Sequence, residues 1–142
     1  MGESILYDQQ RAGLYHAPAA RHLRLADAAE RAAQACRTAR LSACRTLAEA
    51  LQALGKDLAF PDYYGSNLDA LFDCLSDPDW DASSGLIILI NGLDALRSGD
   101  PEGFTQLIEV LSHVVEARAE ADLPCWIILD TPARGIPKLP AA

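Results

Sequence analysis

Two aspartates four residues apart, Asp69 and Asp73, lie in a stretch that also holds Tyr63, Tyr64, Phe72 and Trp80. At 100° per residue, that spacing puts both carboxylates, with Ser76, on one face of a helix. Paired carboxylates in unlike environments can split their pKa values and work as acid and base. No nucleophile, histidine pair or metal motif accompanies these two, so catalysis is not expected. A cation is a second use for such acids, and Asp77-Pro78-Asp79-Trp80-Asp81 echoes the opening of a calcium loop. Ala82 replaces the required glycine there and Ile88 stands where the closing glutamate belongs, so the EF-hand reading fails and only a loose site is left open. The third use is protein recognition, since aromatic anchors among carboxylates suit an interface. On composition alone a solvated helix face with core tyrosines is the simpler reading.

Charge distribution favours a basic partner. The chain carries a net charge of −8, and residues 61–85 hold Asp62, Asp69, Asp73, Asp77, Asp79 and Asp81 with no lysine or arginine. A one-sign cluster of this kind repels nucleic acid and steers basic proteins towards it. The four cysteines and three histidines are scattered, with no metal or redox spacing, so buried free thiols are expected and neither a metal nor a cofactor is. No apolar stretch is long enough to span a membrane, and residues 1–10 lack the basic and apolar blocks of a leader, which points to a cytosolic protein.

The elements that must position these residues follow from periodicity. A length of 142 residues and half apolar composition suit one domain. Gly13 to His16 reads as a short strand, then a loop from Pro18 to Asp27. Asp27 with Glu30 resembles a capping box, ahead of a helix on Ala28, Ala29, Ala32, Ala33 and Cys36. Thr38 to Ala43 reads as a strand. Thr46 and Glu49 cap a helix on Leu47, Leu51, Leu54 and Leu58 that stops before Pro61. Ser66 and Asn67 can cap the acidic helix, whose apolar stripe is Leu68, Leu71, Phe72 and Leu75. Leu86 to Ile90 suits a strand buried on both faces, and Asp100-Pro101 starts a long helix on Phe104, Leu107, Ile108, Leu111, Val114 and Val115. Trp126 to Leu129 makes a last strand, and 131–142, with three prolines, reads as a loose tail. Strands alternating with helices imply an α/β fold with a parallel sheet. No glycine-rich phosphate loop follows any strand.

The run Phe60-Pro61-Asp62-Tyr63-Tyr64-Gly65-Ser66-Asn67-Leu68-Asp69-Ala70-Leu71-Phe72-Asp73-Cys74-Leu75 resembles the signature segment of the barstar family. The flanking elements match that family in order and spacing over about residues 38–130. The resemblance implies a small parallel sheet of three core strands, plus an N-terminal edge strand here, flanked by helices. It also implies a cytosolic inhibitor, an antitoxin or immunity protein, that plugs the active site of a basic barnase-like ribonuclease in a 1:1 complex. By that resemblance, Asp73 takes a site reserved for an RNA phosphate, pairing with arginine and histidine side chains, and Asp69 supports it from one turn earlier. Tyr63 packs against the catalytic histidine region, and Gly65, Asn67, Leu68, Phe72 and Ser76 line the rest.

Departures from the family pattern bear on the contact set. Phe72 stands where the founding member has a tryptophan. A late-helix glutamate contact has no unique counterpart, falling on Ala117 with Glu116 beside it. Trp80 lies in a longer, more acidic loop, where an interface role competes with loop packing. The first 37 or so residues exceed the founding member, and an edge strand, a dimer surface and a partner contact are open uses for them. The alternative function is a non-enzymatic module that binds another basic toxin or a regulatory protein through the same surface.

Overall fold

The computed structural model describes residues 4–32 and 34–140. Four strands, β1 (Leu14–His16), β2 (Cys36–Arg40), β3 (Leu86–Asn91) and β4 (Cys125–Leu129), form one all-parallel sheet in the order β1-β4-β3-β2. The two central strands are the uninterrupted apolar runs, because a parallel sheet is covered on both faces and each must be apolar throughout. Side chains alternate between the faces. Leu86, Ile88, Ile90, Ile127 and Leu129 point into one core, while Ile87, Leu89, Trp126 and Ile128 point into the other.

The helices are α1 (Ala19–Arg31), α2 (Leu47–Asp57), α3 (Leu68–Ser76), α4 (Asp94–Gly99) and α5 (Pro101–Glu120). Leucines of α2, α3, α4 and α5 fill the first core. The second is closed by α1, through Leu25, Ala28 and Ala29, with Ile5 and Leu6 from the 3-10 turn at residues 4–7. The N-terminal extension therefore supplies an edge strand and the cover of the face opposite α3. Small alanines let α1 lie close to the sheet, which is why so thin a stripe suffices.

Four expectations are corrected. The segment after Pro18 is helix, not loop: Pro18 occupies the N-cap of α1, and Asp27 lies inside the helix, 3.0 Å from Arg31. The buried stripe runs back from Leu25 to Arg21 and His22, polar residues that conceal it in the sequence; the His22 ring nitrogen Nε2 lies 3.1 Å from the Leu129 carbonyl. Of the residues assigned to that helix, Cys36 starts β2 instead, and Ala33 lies outside the described residues. The second strand runs 36–40 rather than 38–43. Its chain turns away where the Leu41 N–H donates to Asn91 O and Ser42 crosses so close to Gly92 that a Cβ there would lie 2.4 Å from the Ser42 nitrogen.

The short helix α4 was not foreseen. Its stripe is only Leu93 and Leu96, too brief for periodicity to register. Finally, the tail up to Pro140 is docked rather than loose. Leu139 is buried, its N–H donates to His16 O at 2.8 Å, and the His16 N–H donates to Pro137 O, so the tail runs beside β1. Arg21 donates to the carbonyls of Leu139 and Pro140. The chain's last two alanines lie outside the described residues.

Candidate functional site

The site is built on the end of α2, the lead-in loop and α3. Thr46 and Glu49 close a capping box at the start of α2. At its end the Phe60 N–H donates to Gly55 O at 2.9 Å and the Ala59 N–H to Lys56 O, with Ala59 left-handed at φ 55°. That is a Schellman closure, so the helix ends at Asp57, three residues earlier than Pro61 alone would require. Asn67 then caps α3, its side-chain oxygen accepting from the Ala70 N–H at 2.8 Å.

The two tyrosines part company. Tyr64 turns inward: its hydroxyl donates to Leu51 O at 2.9 Å and its ring meets Phe60 edge-on at 4.9 Å. Burial, and then the neighbouring Cys74, push its phenol up to about 12. Tyr63 is 75% exposed, one of two large apolar side chains so displayed among the described residues. Loss of water, then Asp77, Cys74 and Asp79, hold its phenol above the ordinary value of 10, so it is neutral at pH 7 and can both donate and accept. The core-tyrosine reading thus describes Tyr64 and not Tyr63.

On α3, Leu71 and Leu75 are fully buried, Leu68 and Phe72 are half-buried against the core, and Asp69 and Asp73 are exposed. Among the described residues, neither of these two carboxylates accepts a hydrogen bond or pairs with a cation. Their neighbours in sequence are employed differently. Asp77 accepts from the Asp79 N–H, and Asp81 is buried, accepting from the Ser83 N–H and from Arg37 Nε at 2.9 Å. Burial pushes the Asp81 carboxyl up, but the Ser83 and Arg37 hydrogen bonds outweigh it and leave it below the carboxylate norm. One of the six acids of the 61–85 segment is therefore consumed in the fold, and the open charge belongs to the others. No group of three or more histidine, cysteine, aspartate or glutamate side chains able to hold a metal occurs among the described residues.

Gly65 and Asn67 lie exposed beside Tyr63 in the lead-in. Ser76 ends α3 with its hydroxyl oxygen buried and unpartnered among the described residues, whereas Asp69 and Asp73 are exposed. Trp80 stands apart from that face. Its indole N–H donates to Leu58 O at 3.0 Å, its ring meets Phe60 at 5.2 Å, and Arg37 lies over it at 4.4 Å. Loop packing accounts for those contacts.

Between α2 and α3 runs an open groove of about 820 Å³, with Leu47, Ala48 and Leu51 on one side, Asp69 and Asp73 on the other, and Tyr63 at its edge. Sequence reasoning did not bring α2 into the site, since its residues read simply as an amphipathic helix. Nor did it find the two arginines that hold the loop behind α3. Arg37 joins Asp81, Trp80 and Leu58 O. Arg118, wholly buried, donates to the carbonyls of Leu75, Asp81, Ser83 and Leu123 at 3.0–3.2 Å. A signal for Arg118 was available: it continues the α5 stripe of Leu111 and Val114 at helical spacing.

The buried thiols agree with expectation: all four cysteines are free, with Cys44, Cys74 and Cys125 buried and Cys36 partly so. No helix among the described residues is long and apolar enough to cross a membrane. Residues 34–130, which span β2 to β4 and contain the whole site, match the family model described as Barstar (barnase inhibitor). That match takes in three of the sheet's four strands, helices α2 to α5 and with them the capped acidic helix, and the chain belongs to the Barstar family.

Proposed function

We propose that this protein is a stoichiometric, cytoplasmic inhibitor, an antitoxin or immunity protein, of a basic barnase-like ribonuclease. The observation that carries this reading is the pairing of an exposed Tyr63 with two idle carboxylates, Asp69 and Asp73, on one rigidly capped helix. The matched family is described as a barnase inhibitor, and the role proposed here is binding rather than turnover. In the complex, α3 and its lead-in fill the active-site cleft. Asp73 substitutes for a phosphate of RNA and takes charge-assisted hydrogen bonds from the enzyme's cationic side chains. Asp69 reinforces it, Tyr63 stacks at the rim, and Gly65, Asn67, Leu68 and Phe72 supply shape, with Ser76 and Trp80 at the margin.

Because the carboxylates hold no partner among the described residues, no described contact is broken when the enzyme takes them. The cap and the Tyr64 anchor hold them in place beforehand, which lowers the ordering cost of binding. The test is calorimetric titration and ribonuclease inhibition with barnase. Asp73→Ala is expected to cost on the order of 3–5 kcal/mol, because it strands the enzyme's buried cations. Wild-type affinity should also fall as salt rises. Undiminished binding by Asp73→Ala refutes the phosphate-substitute role. Tight binding to a basic protein whose ribonuclease activity is untouched replaces the inhibitor reading with that of a general acidic binding module.

A further inference from the structure

A cavity of about 450 Å³ lies where α1 meets the docked tail, lined by Pro18, Arg21, Arg24, Lys138, Leu139 and Pro140. Three of these six residues are basic and none is acidic, in a chain with 20 acidic residues against 12 basic ones. All six lie outside residues 34–130, and α1 covers the sheet face opposite α3, so the inhibitory surface does not account for the cluster. Like charges gathered in this way repel one another. Among the described residues neither Arg24 nor Lys138 relieves that repulsion by pairing with a carboxylate. The next acid along α1, Asp27, is engaged by Arg31 at 3.0 Å.

The two walls are fixed before any ligand arrives. Arg21, buried on α1, donates to the Leu139 carbonyl at 3.0 Å and to that of Pro140, and so binds the tail against the helix. Arg24 on the helix wall and Lys138 on the tail wall are both exposed at the cavity. A cation would be repelled there, and an apolar ligand would strip water from both charges without replacing it. An arginine fork pairs two oxygens at once, and a lysine adds a point charge from the facing wall. A carboxylate has two oxygens and one charge, whereas a phosphate group brings three free oxygens and close to two charges, enough for both walls. We propose that this cavity binds a phosphate group, with Arg24 on two of its oxygens, Lys138 on the third and Arg21 holding the wall. The proposal does not rest on the inhibitor reading, since its ligand sits across the sheet from α3.

Amide NMR titration of the full chain tests this, near neutral pH with chloride holding the ionic strength constant. The probes are inorganic phosphate, uridine monophosphate and uridine. Both phosphates should give saturable shifts centred on the amides of Arg21 to Arg24, Lys138 and Leu139. The double variant Arg24→Gln/Lys138→Gln should weaken them about fivefold or more. Arg40→Gln/Arg45→Gln removes two exposed bases outside the cavity for the same change in net charge, and should stay within about twofold of wild type. Well-dispersed spectra of both variants verify that each is folded. Tighter binding of the monophosphate supports an ester as the source of the group, tighter binding of inorganic phosphate supports the free ion, and either upholds the proposal. Shifts that never saturate, that scatter over all the exposed bases, or that persist in Arg24→Gln/Lys138→Gln show an adventitious ion only and overturn it. An equal response to uridine shows recognition of the nucleoside and overturns the phosphate assignment.

Discussion

Gly55 lies in the last turns of α2, where replacing glycine by alanine ordinarily stabilises a helix by about 0.5–1 kcal/mol. The surroundings reverse that sign here. A Cβ at Gly55 would lie 2.5 and 2.6 Å from two carbons of the Tyr64 ring, so the ring must move. Moving it sacrifices the hydroxyl bond to Leu51 O, worth about 1 kcal/mol net. The edge contact with Phe60 adds about 0.5–1.5 kcal/mol, and overpacking a tight site costs about 1–3 kcal/mol more. The losses exceed the helix gain, so Gly55→Ala should destabilise by roughly 2–4 kcal/mol. The displacement also reaches function, since Tyr64 pins the loop that presents Tyr63 and leads to the α3 cap. Urea unfolding gives the stability change, and titration of barnase gives the affinity. Tyr64→Phe is the calibrating variant: it keeps the ring and should lose only the hydrogen-bond share. A Gly55→Ala protein more stable than wild type would show that Tyr64 does not occupy this site, and unchanged stability with unchanged inhibition would refute the link between anchor and loop.

Ala59 is left-handed at the C′ position of α2, where glycine carries no Cβ penalty; Ala59→Gly should raise stability by up to about 1 kcal/mol in the same unfolding assay, less the added freedom of the unfolded chain. Arg118→Leu removes four hydrogen bonds to buried carbonyls and should cost about 3 kcal/mol or more, with hydrogen exchange rising first in the loop after α3. Asp100 accepts from the Leu47 and Gly103 N–H groups, which hold its carboxyl below the ordinary 3.8. Its folded-state value is depressed, so its contribution is present in full above the unfolded value and is lost as pH falls through the folded one. Asp100→Asn should therefore flatten the acid limb of a stability–pH curve and leave the slope near neutrality unchanged.

Much of the fold was legible because local chemistry and tertiary outcome agree. The Thr46 and Asn67 caps, the Asp100-Pro101 helix start and the two apolar central strands all stand where local rules put them. Elements were missed where polar residues perform buried work. Arg21 and His22 disguise the first half of α1, and the prolines of the tail conceal a segment that pairs with β1. Within the site, the helical wheel separated Asp69 and Asp73 from the buried leucines correctly, because a single helix obeys one period.

The sequence by itself determined which residues could meet a basic partner: a run of acids without bases, aromatic residues among them, and a capped helix to carry both. Only the tertiary structure decided which of them are free to do so. Tyr63 and Tyr64 are identical side chains side by side, yet Gly55 opens a slot for one and leaves the other in solvent. Asp73 and Asp81 are both loop-or-helix aspartates, yet Arg37 reaches Asp81 from β2, 44 residues away in the chain, and no cation among the described residues pairs with Asp73. Whether a charge is spent inside the fold depends on neighbours distant in sequence, and periodicity reports only on neighbours within a turn or two.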